Sequence, residues 1–287
     1  MKKKREQKTG WTTVITAKKR FFDLSLKEVF SYKDLIFLNV ARIFKIKYKQ
    51  TILGPLWFIL HPLLLTLVHA FVFGNLAGLA PDVVPAFLFY MVANVLWLFF
   101  SSTLSQTSST FLTHSRLFGK IYFPRLTIPI STLISTAINF LIEFAVFMVV
   151  MLIYYLFGAS FSVNWVAFLT PLFVLQVGLL AMGLGILISS ITVKYRDLQV
   201  LVNFGLQLWM LISPVVYSVS SVSNSEIAFA LMCNPLSSSL ELIRYAWLGV
   251  GSTPWEFWVL SWIVTIFILI IGVASFNRAE KNFMDVI

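Results

Sequence analysis

Long apolar runs, with nearly all basic residues on one side of them, constrain this chain more than any other feature. Six apolar runs separate seven flanking pieces of the sequence. If both termini lie on the same side of a bilayer, 21 of the 22 Lys and Arg residues fall on that side, and only Arg244 falls on the other. Because Lys and Arg accumulate in cytoplasmic loops, the pattern predicts a multi-pass membrane protein with both termini in the cytoplasm.

The composition excludes an ordinary soluble domain. Hydrophobic residues make up 59% of the chain, charged residues only 12%, and the mean hydropathy is +0.87. The net charge of +10 is explained by the basic cytoplasmic side at an anionic leaflet, so we expect no nucleic-acid partner. A single cysteine, Cys233, excludes a disulfide framework and a cysteine-based metal site, and we expect no metal.

The predicted fold is an all-α integral membrane protein with six transmembrane helices, at about 56–73, 83–100, 126–157, 165–191, 200–219 and 255–276. A basic cytoplasmic tail (1–23) precedes an amphipathic interface helix (24–54), in which apolar residues alternate with lysines at roughly helical spacing. The six-helix domain covers 55–276, and 277–287 form the cytoplasmic C-terminus.

The 220–254 stretch departs from this pattern. It holds two apolar pieces, 227–232 and 240–250, separated by Asn234-Pro235. Each piece is too short to cross a hydrocarbon layer about 30 Å thick, so the stretch predicts two short re-entrant helices on the extracytoplasmic side. Such backbone is tolerated only where protein shields it or where it lines a cavity, which indicates part of a translocation path. An ordinary interfacial loop is the alternative.

Polar side chains recur every four residues on two of the predicted spans. The two sets are Ser131, Ser135, Asn139 and Glu143 on the third span, and Gln199, Asn203 and Gln207 on the fifth. Either stripe could line a polar conduit or serve hydrogen bonding between helices, and both interpretations stay open. His61 and His69 lie in the first span, and we expect both to be neutral and bonded within the bundle.

The chain lacks the motifs of nucleotide binding and hydrolysis. No G-x-x-x-x-G-K-[ST], H-E-x-x-H or G-x-S-x-G motif occurs. We therefore expect no nucleotide-cradling loop and no cofactor in this chain. If transport is driven by ATP, a separate subunit must bind the ATP and Mg²⁺ and hydrolyse the ATP.

Four local signatures converge on one family. They are YKQTILGPLWFILHPLLL (48–65), FGKIYFPRLTIPI (118–130), VKYRDLQVLVNFGLQLWMLISPVVY (193–217) and NPLSSSLELIRYAWLG (234–249). From about residue 25 to the C-terminus, the chain resembles the permease subunit of ABC-2-type exporters, in the branch that exports O-antigen, capsule and teichoic-acid polysaccharides.

The resemblance implies a homodimer that pairs with two copies of a cytoplasmic ABC ATPase in the bacterial inner (plasma) membrane. The dimer would form a channel for an undecaprenyl-linked polysaccharide. Residues 24–49 would cradle the ATPase, and the 105–125 loop would hold a helix that couples to it. In that helix, Phe111 and Leu112 would be apolar contacts, and the remaining coupling candidates are Thr107, His114 and Arg116.

The resemblance also assigns residues to the channel. Because the first and fifth spans of this family contribute to the channel wall, the lining candidates are Phe58, Gln199, Asn203, Gln207, Trp209 and Tyr217. The re-entrant pair would be the extracytoplasmic gate, with Asn234, Pro235, Glu241 and Arg244 as candidates. Arg125, Lys194 and Arg196 lie at the cytoplasmic mouth, where they could attract the lipid-linked pyrophosphate or simply contact lipid headgroups.

Three other functions remain open at this stage. One is an ABC-2 exporter of drugs or lipids. Another is an integral-membrane enzyme that acts on lipid-linked sugars, with Glu143 or His61 as acid or base. The third is a passive channel.

Overall fold

The computed structural model describes residues 31–48, 54–81, 83–118, 123–192, 195 and 197–286, and this part of the chain is helical with no strand. The all-α prediction is therefore confirmed for it. The helices are α1 (Lys33–Tyr48), α2 (Trp57–His69), α3 (Ala86–Ser108), α4 (Thr110–Phe118), α5 (Thr127–Leu156), α6 (Thr170–Thr192), α7 (Leu198–Ile212), α8 (Ser225–Met232), α9 (Ser237–Leu248) and α10 (Trp255–Val286). A π-helical segment, Ala70–Leu76, continues α2.

Five helical stretches in the described residues are long and apolar enough to cross a bilayer. They are Trp57–Leu76, Ala86–Ser108, Thr127–Leu156, Trp165–Thr192 and Trp255–Ala279. Each overlaps a predicted span, and the long third span is reproduced almost to the residue. The last helix continues to Val286, so the structure shows no break at the predicted boundary at 276.

The predicted fifth span is shorter than expected. We predicted 200–219, but α7 ends at Ile212, and at about 1.5 Å per residue its 15 residues reach only about 22 Å. Beyond it the chain turns at Pro214 and has no α-helix before α8. The extent of this span was therefore predicted wrongly for 213–219, and the six-span count stays a prediction.

Helix α3 is the centre of the bundle. It is the most buried of the five long stretches and packs against α2, α5, α6, α7 and α9. Its buried polar residue Asn94 donates to Thr66 Oγ1 (3.1 Å) and contacts His69 Nδ1 (2.9 Å), both on α2. For His69, the expected bonding within the bundle is confirmed.

Helices α6 and α10 lie close together at two glycines. A Cβ atom on Gly272 would lie 2.6 Å from the carbonyl oxygen of Gly183. Small residues let membrane helices pack backbone to backbone, so this pair fixes how α10 lies against α6.

A hydrophobic cluster closes the end of the bundle at which α1, α4 and the last part of α10 meet. It includes Ile36 of α1, Phe111 and Phe118 of α4, Ile186 of α6 and Phe276 of α10. We call this the basic end, because the predicted cytoplasmic loops lie here. We call the other end of the bundle the opposite end.

The predicted interface segment forms a helix over the part that the structure describes. Helix α1 packs on α5, where Ser131 Oγ donates to the carbonyl of Ile36 (3.4 Å). Phe37, Leu38 and Ile46 remain exposed. The basic tail 1–23 lies outside the described residues, and the placement of α1 at a membrane surface stays a prediction.

Replacing Gly272 by Ala should lower the stability of the bundle. The new methyl group would push against the Gly183 carbonyl, and overpacking of this kind costs about 1–3 kcal/mol. A Cβ on Gly205 in α7 would meet nothing within 4 Å, so Gly205→Ala is the matched control. Thermal unfolding in detergent should show a lower midpoint for Gly272→Ala alone. Equal midpoints for the two variants would contradict the close α6–α10 contact.

Candidate functional site

A fully buried ion pair on α9 organises the opposite end. Glu241 and Arg244 lie one helical turn apart, with Arg244 NH1 3.4 Å from Glu241 Oε1, and both side chains have 0% exposure. An unpaired buried charge is strongly destabilising. The rest of the local structure must therefore supply partners to both groups.

The guanidinium of Arg244 binds the chain that follows α7. Its NH1 donates to the carbonyls of Pro214 (2.6 Å) and Tyr217 (2.8 Å), and its NH2 donates to the carbonyl of Val215 (2.5 Å). The face of the guanidinium lies over the Phe89 ring of α3, 4.1 Å from the centroid. One side chain thus replaces the backbone partners that these carbonyls would have had in a continued helix.

The carboxylate of Glu241 binds the next residues of the same loop. It accepts hydrogen bonds from Ser218 Oγ (3.0 Å) and from the backbone N–H of Val219 (3.0 Å). It also accepts from the N–H of Ser252 (3.1 Å), beyond α9. The neighbouring Gly251 has φ +105°, and a Cβ there would lie 2.9 Å from Glu241 Oε2, so the site requires glycine for backbone and space alike.

The turn between α8 and α9 is tied to α7 by Asn234. Its Oδ1 accepts from Trp209 Nε1 (3.2 Å), and its Nδ2 donates to Ser213 Oγ (2.8 Å). The structure thus brings together two predicted lining residues, Trp209 and Tyr217, and three predicted gate residues, Asn234, Glu241 and Arg244. Two short helices do flank Asn234-Pro235, as predicted, while their re-entrant placement in a membrane stays a prediction.

Gln176 joins α6 to α9 and α10 by hydrogen bonds, and the sequence analysis did not single it out. It is fully buried. Its Nε2 donates to Thr265 Oγ1 of α10 (3.0 Å) and to the carbonyl of Pro235 (3.3 Å), and its Oε1 accepts from Ser239 Oγ of α9 (2.7 Å). A lone amide in the apolar run 165–191 was the available signal, since such a group needs partners from other helices.

The polar stripe of α7 lies partly against the basic-end half of α3 and is partly exposed. Gln199 Oε1 accepts from Ser108 (3.4 Å), Asn203 Oδ1 accepts from Ser105 (3.2 Å), and Gln207 is exposed. These contacts are few, and most apolar side chains of α7 are also uncovered. Helix α2 likewise packs on α3 and leaves an uncovered face.

Phe58 does not belong to that open surface. It is 7% exposed, and its ring centroid lies 6.4 Å from that of Phe44 on α1. In a single copy its side chain packs toward α1 and offers little surface to a channel, and its role in lining one stays a prediction.

In the polar stripe of the third span, two serines form hydrogen bonds within their own helix, and one of them also bonds to α1. Ser131 and Ser135 donate to carbonyls one turn earlier in α5 (2.6 and 2.8 Å), and Ser131 also contacts α1. Glu143 is 9% exposed. Among the described residues, no three His, Cys, Asp or Glu side chains are grouped to hold a metal.

Two of the five coupling candidates lie inside the protein. Phe111 is 1% exposed, its ring centroid lies 4.5 Å from that of Phe276, and its N–H donates to Ser189 Oγ of α6 (3.4 Å). Thr107 is fully buried beside Gly185 of α6. The prediction of an exposed apolar contact at Phe111 is wrong, because the residue packs into the cluster of the basic end.

The remaining coupling candidates differ in what the structure describes. Leu112 and His114 are half-buried, and His114 Nδ1 lies 3.2 Å from the carbonyl of Thr110. Burial lowers the pKa of His114, the bond to Thr110 opposes this shift, and the charge of Arg42 adds to it. Thr113, which sequence reasoning overlooked, is exposed on α4, and the side chain of Arg116 lies outside the described residues.

Of the three cations predicted at the cytoplasmic mouth, the structure describes Arg125. Its guanidinium lies 5.2 Å from the centroid of the Phe118 ring, so it stacks on the end of α4. Lys194 and Arg196 lie outside the described residues.

Replacing Phe111 by Ala should destabilise the basic end. Truncation of a fully buried phenylalanine costs about 3–5 kcal/mol, whereas Thr113→Ala on the exposed side of the same helix should change stability by no more than about 0.5 kcal/mol. Unfolding in detergent compares the two variants. A Phe111→Ala protein as stable as Thr113→Ala would contradict the burial of this ring.

The sequence of this chain is similar to the sequences of known proteins. Two O-antigen export system permease proteins RfbA of Klebsiella pneumoniae are each 24% identical over 255 residues, which covers 88% of this chain and 95% of theirs. A protein of the same name from Myxococcus xanthus is 28% identical over 215 residues, or 74% of this chain and 80% of that protein. The ABC-2 type transporter family matches residues 34–248. This chain therefore belongs to the ABC-2 type transporter family.

Proposed function

We propose that the chain is the permease subunit of an ATP-driven ABC transporter that exports a lipid-linked, O-antigen-like polysaccharide across the bacterial inner membrane. Two copies pair with two cytoplasmic ABC ATPase subunits, and both termini lie in the cytoplasm. The similarity to O-antigen export permeases along 88% of the chain supports the substrate class. It favours a polysaccharide over the drug or lipid exporter that the same fold could serve.

The observation that carries the proposal is the uncovered face that α7, like α2, leaves in a single copy. Both helices pack on α3, yet each leaves most of its outer surface uncovered. Along α7 this surface carries Asn203 and Gln207 among apolar side chains. In a single copy these amides face no closed conduit. A second copy placed against this face would enclose them, and the paired surfaces would form the channel.

The basic end offers a route by which a partner can drive the permease. Helix α4 lies on this end and is joined to α6 and α10 through Phe111, Phe276 and Ser189. A displacement of α4 would therefore be passed to two long helices at once. The partner would press on the outer side of α4, where Thr113 is exposed and Leu112 and His114 are half-buried. The buried Phe111 transmits the displacement from inside.

Charge guides the substrate at the cytoplasmic mouth. Lys194 and Arg196 precede the polar stripe in the sequence. Together with Arg125, they would attract the pyrophosphate of an undecaprenyl-type carrier. The polysaccharide then passes along the α7 stripe toward the Glu241–Arg244 region, which forms the extracytoplasmic end of this path.

The proposal is tested by isolating the tagged protein from native membranes in mild detergent. We expect an ABC ATPase in stoichiometric amount, with ATP hydrolysis that vanadate inhibits. Deletion of the gene should leave lipid-linked glycan inside the cell. Changed drug tolerance without glycan accumulation would instead indicate a drug exporter. An intact preparation with neither partner nor ATPase activity would contradict the proposal.

Replacing Asn203 and Gln207 together by Ala should slow glycan export several-fold without lowering the amount of permease in the membrane. The amides would offer hydrogen bonds to passing sugars, and both are exposed in the single copy. Leu201→Ala is the control, since this exposed residue lies on the other side of α7. Loss of the double variant from the membrane would show that the amides serve helix association instead.

A further inference from the structure

We propose that the Glu241–Arg244 pair fixes the opposite end of α7 as a pivot, so that export moves the basic-end half of α7 against α3 while the 213–221 loop stays attached to α9. This inference rests on the proposed export function and states which part of the channel wall moves. Glu241 and Arg244 are positioning residues in this account, because they act on the channel through the loop that they hold.

The first line of support is the number and burial of the contacts at the pivot. Arg244 holds the carbonyls of Pro214, Val215 and Tyr217, and Glu241 holds Ser218 and Val219. Both charged side chains have 0% exposure. Hydrogen bonds to charged groups are the stronger ones, and they gain further strength away from water.

A second tether holds the same segment from another direction. Asn234 bonds to Trp209 in the last turn of α7 and to Ser213 just after it. The end of α7 is thus held before Pro214 by Asn234 and after it by the ion pair. The two tethers lie on separate parts of the 234–244 segment, so rotation or displacement of the end of α7 relative to α9 would break hydrogen bonds at both.

Helix α9 is itself anchored to the long helices. Ser239 donates to Gln176 of α6 (2.7 Å), and Ser238 bonds to Ser261 of α10 (2.9 Å), with all four side chains buried. The pivot is therefore part of the α6–α9–α10 body. An account in which α9 swings away from α7 would have to break all of these buried bonds in each transport cycle.

The basic-end half of α7 is held much more weakly. The side-chain hydrogen bonds that the structure shows there join Ser105 to Asn203 (3.2 Å, exposed) and Ser108 to Gln199 (3.4 Å, partly buried). Solvent-accessible, long hydrogen bonds of this kind contribute little net stability. Motion of α7 is therefore expected at this end of the molecule, the end at which α4 lies.

Reversible cross-links test the pivot in cells that depend on this permease for glycan export. The single natural cysteine, the exposed Cys233, is first replaced by Ser. Ser213→Cys with Asn234→Cys then joins the α7 end to the α8–α9 turn through a short bis-methanethiosulfonate reagent. Ser105→Cys with Asn203→Cys joins α7 to α3 at the basic end. Export of surface glycan is measured before linking, after linking and after reduction.

The two cross-links should act in opposite ways. The Ser213–Asn234 link should leave export at the rate of the unlinked protein, and the Ser105–Asn203 link should abolish it until reductant is added. A reversible block by the Ser213–Asn234 link would overturn the proposal, and so would normal export by the Ser105–Asn203-linked protein.

A third pair of cysteine substitutions tests the pivot if substitution of Asn234 harms folding. Ser218 and Ser252 both bond to Glu241 Oε2, so Ser218→Cys with Ser252→Cys joins the loop to the chain beyond α9 and leaves the ion pair in place. Linked protein of this variant should also export normally, and a reversible block would overturn the pivot. Failure of the wild-type chain to restore glycan export to cells from which its gene has been deleted, with the protein present in the membrane, would instead contradict the proposed function.

Discussion

The buried ion pair between Glu241 and Arg244 is the interaction on which the opposite end of this permease depends. Two charges in a protein interior are tolerated only when they are paired and their remaining hydrogen-bonding groups have partners. Here most of the partners are backbone groups of the 213–221 loop and of Ser252, and the one nitrogen of the guanidinium group without a hydrogen-bond partner in the described part of the chain is Arg244 Nε. The pair therefore does more than join two side chains of one helix. It binds the loop that follows α7 and holds that loop to α9.

The two ends of the molecule are connected through α6 and α10. At the opposite end, Gln176 and Thr265 link these helices to each other and, through Ser239, to α9. In the middle, the Gly183–Gly272 contact allows their backbones to meet. At the basic end, Phe111 and Phe276 attach α4. A transporter driven from one end needs a stiff body of this kind, because motion is passed on only by elements that keep their packing. Helix α7 stands outside this body except at its tethered end.

The spans and the local motifs could be read from the sequence, and the long-range partners could not. The long apolar helix α5 matched its prediction because length and hydropathy determine such an element locally. The end of α7 was misplaced because the local signal of Pro214, which disfavours a helical residue before it, was not used. What the sequence could not show is that Arg244, 30 residues beyond Pro214, binds the carbonyl of Pro214. Phe111 was expected at the surface because an amphipathic pattern shows that one face is buried without showing whether a partner or the same chain covers it. Gln176 was missed for a similar reason, since nothing near it in sequence bonds to it.

The measurement that tests the central claim most directly is a double-mutant cycle on the ion pair. Glu241→Gln, Arg244→Gln and the double variant would be compared with the wild-type protein by unfolding in mixed detergent micelles titrated with sodium dodecyl sulfate. If the pair organises this end, each single change should cost about 3–5 kcal/mol, because it leaves an uncompensated buried charge. The double variant should then cost less than the sum of the two by about 1–3 kcal/mol. Costs that add to within about 0.5 kcal/mol would show that the two charges act independently and would contradict the account.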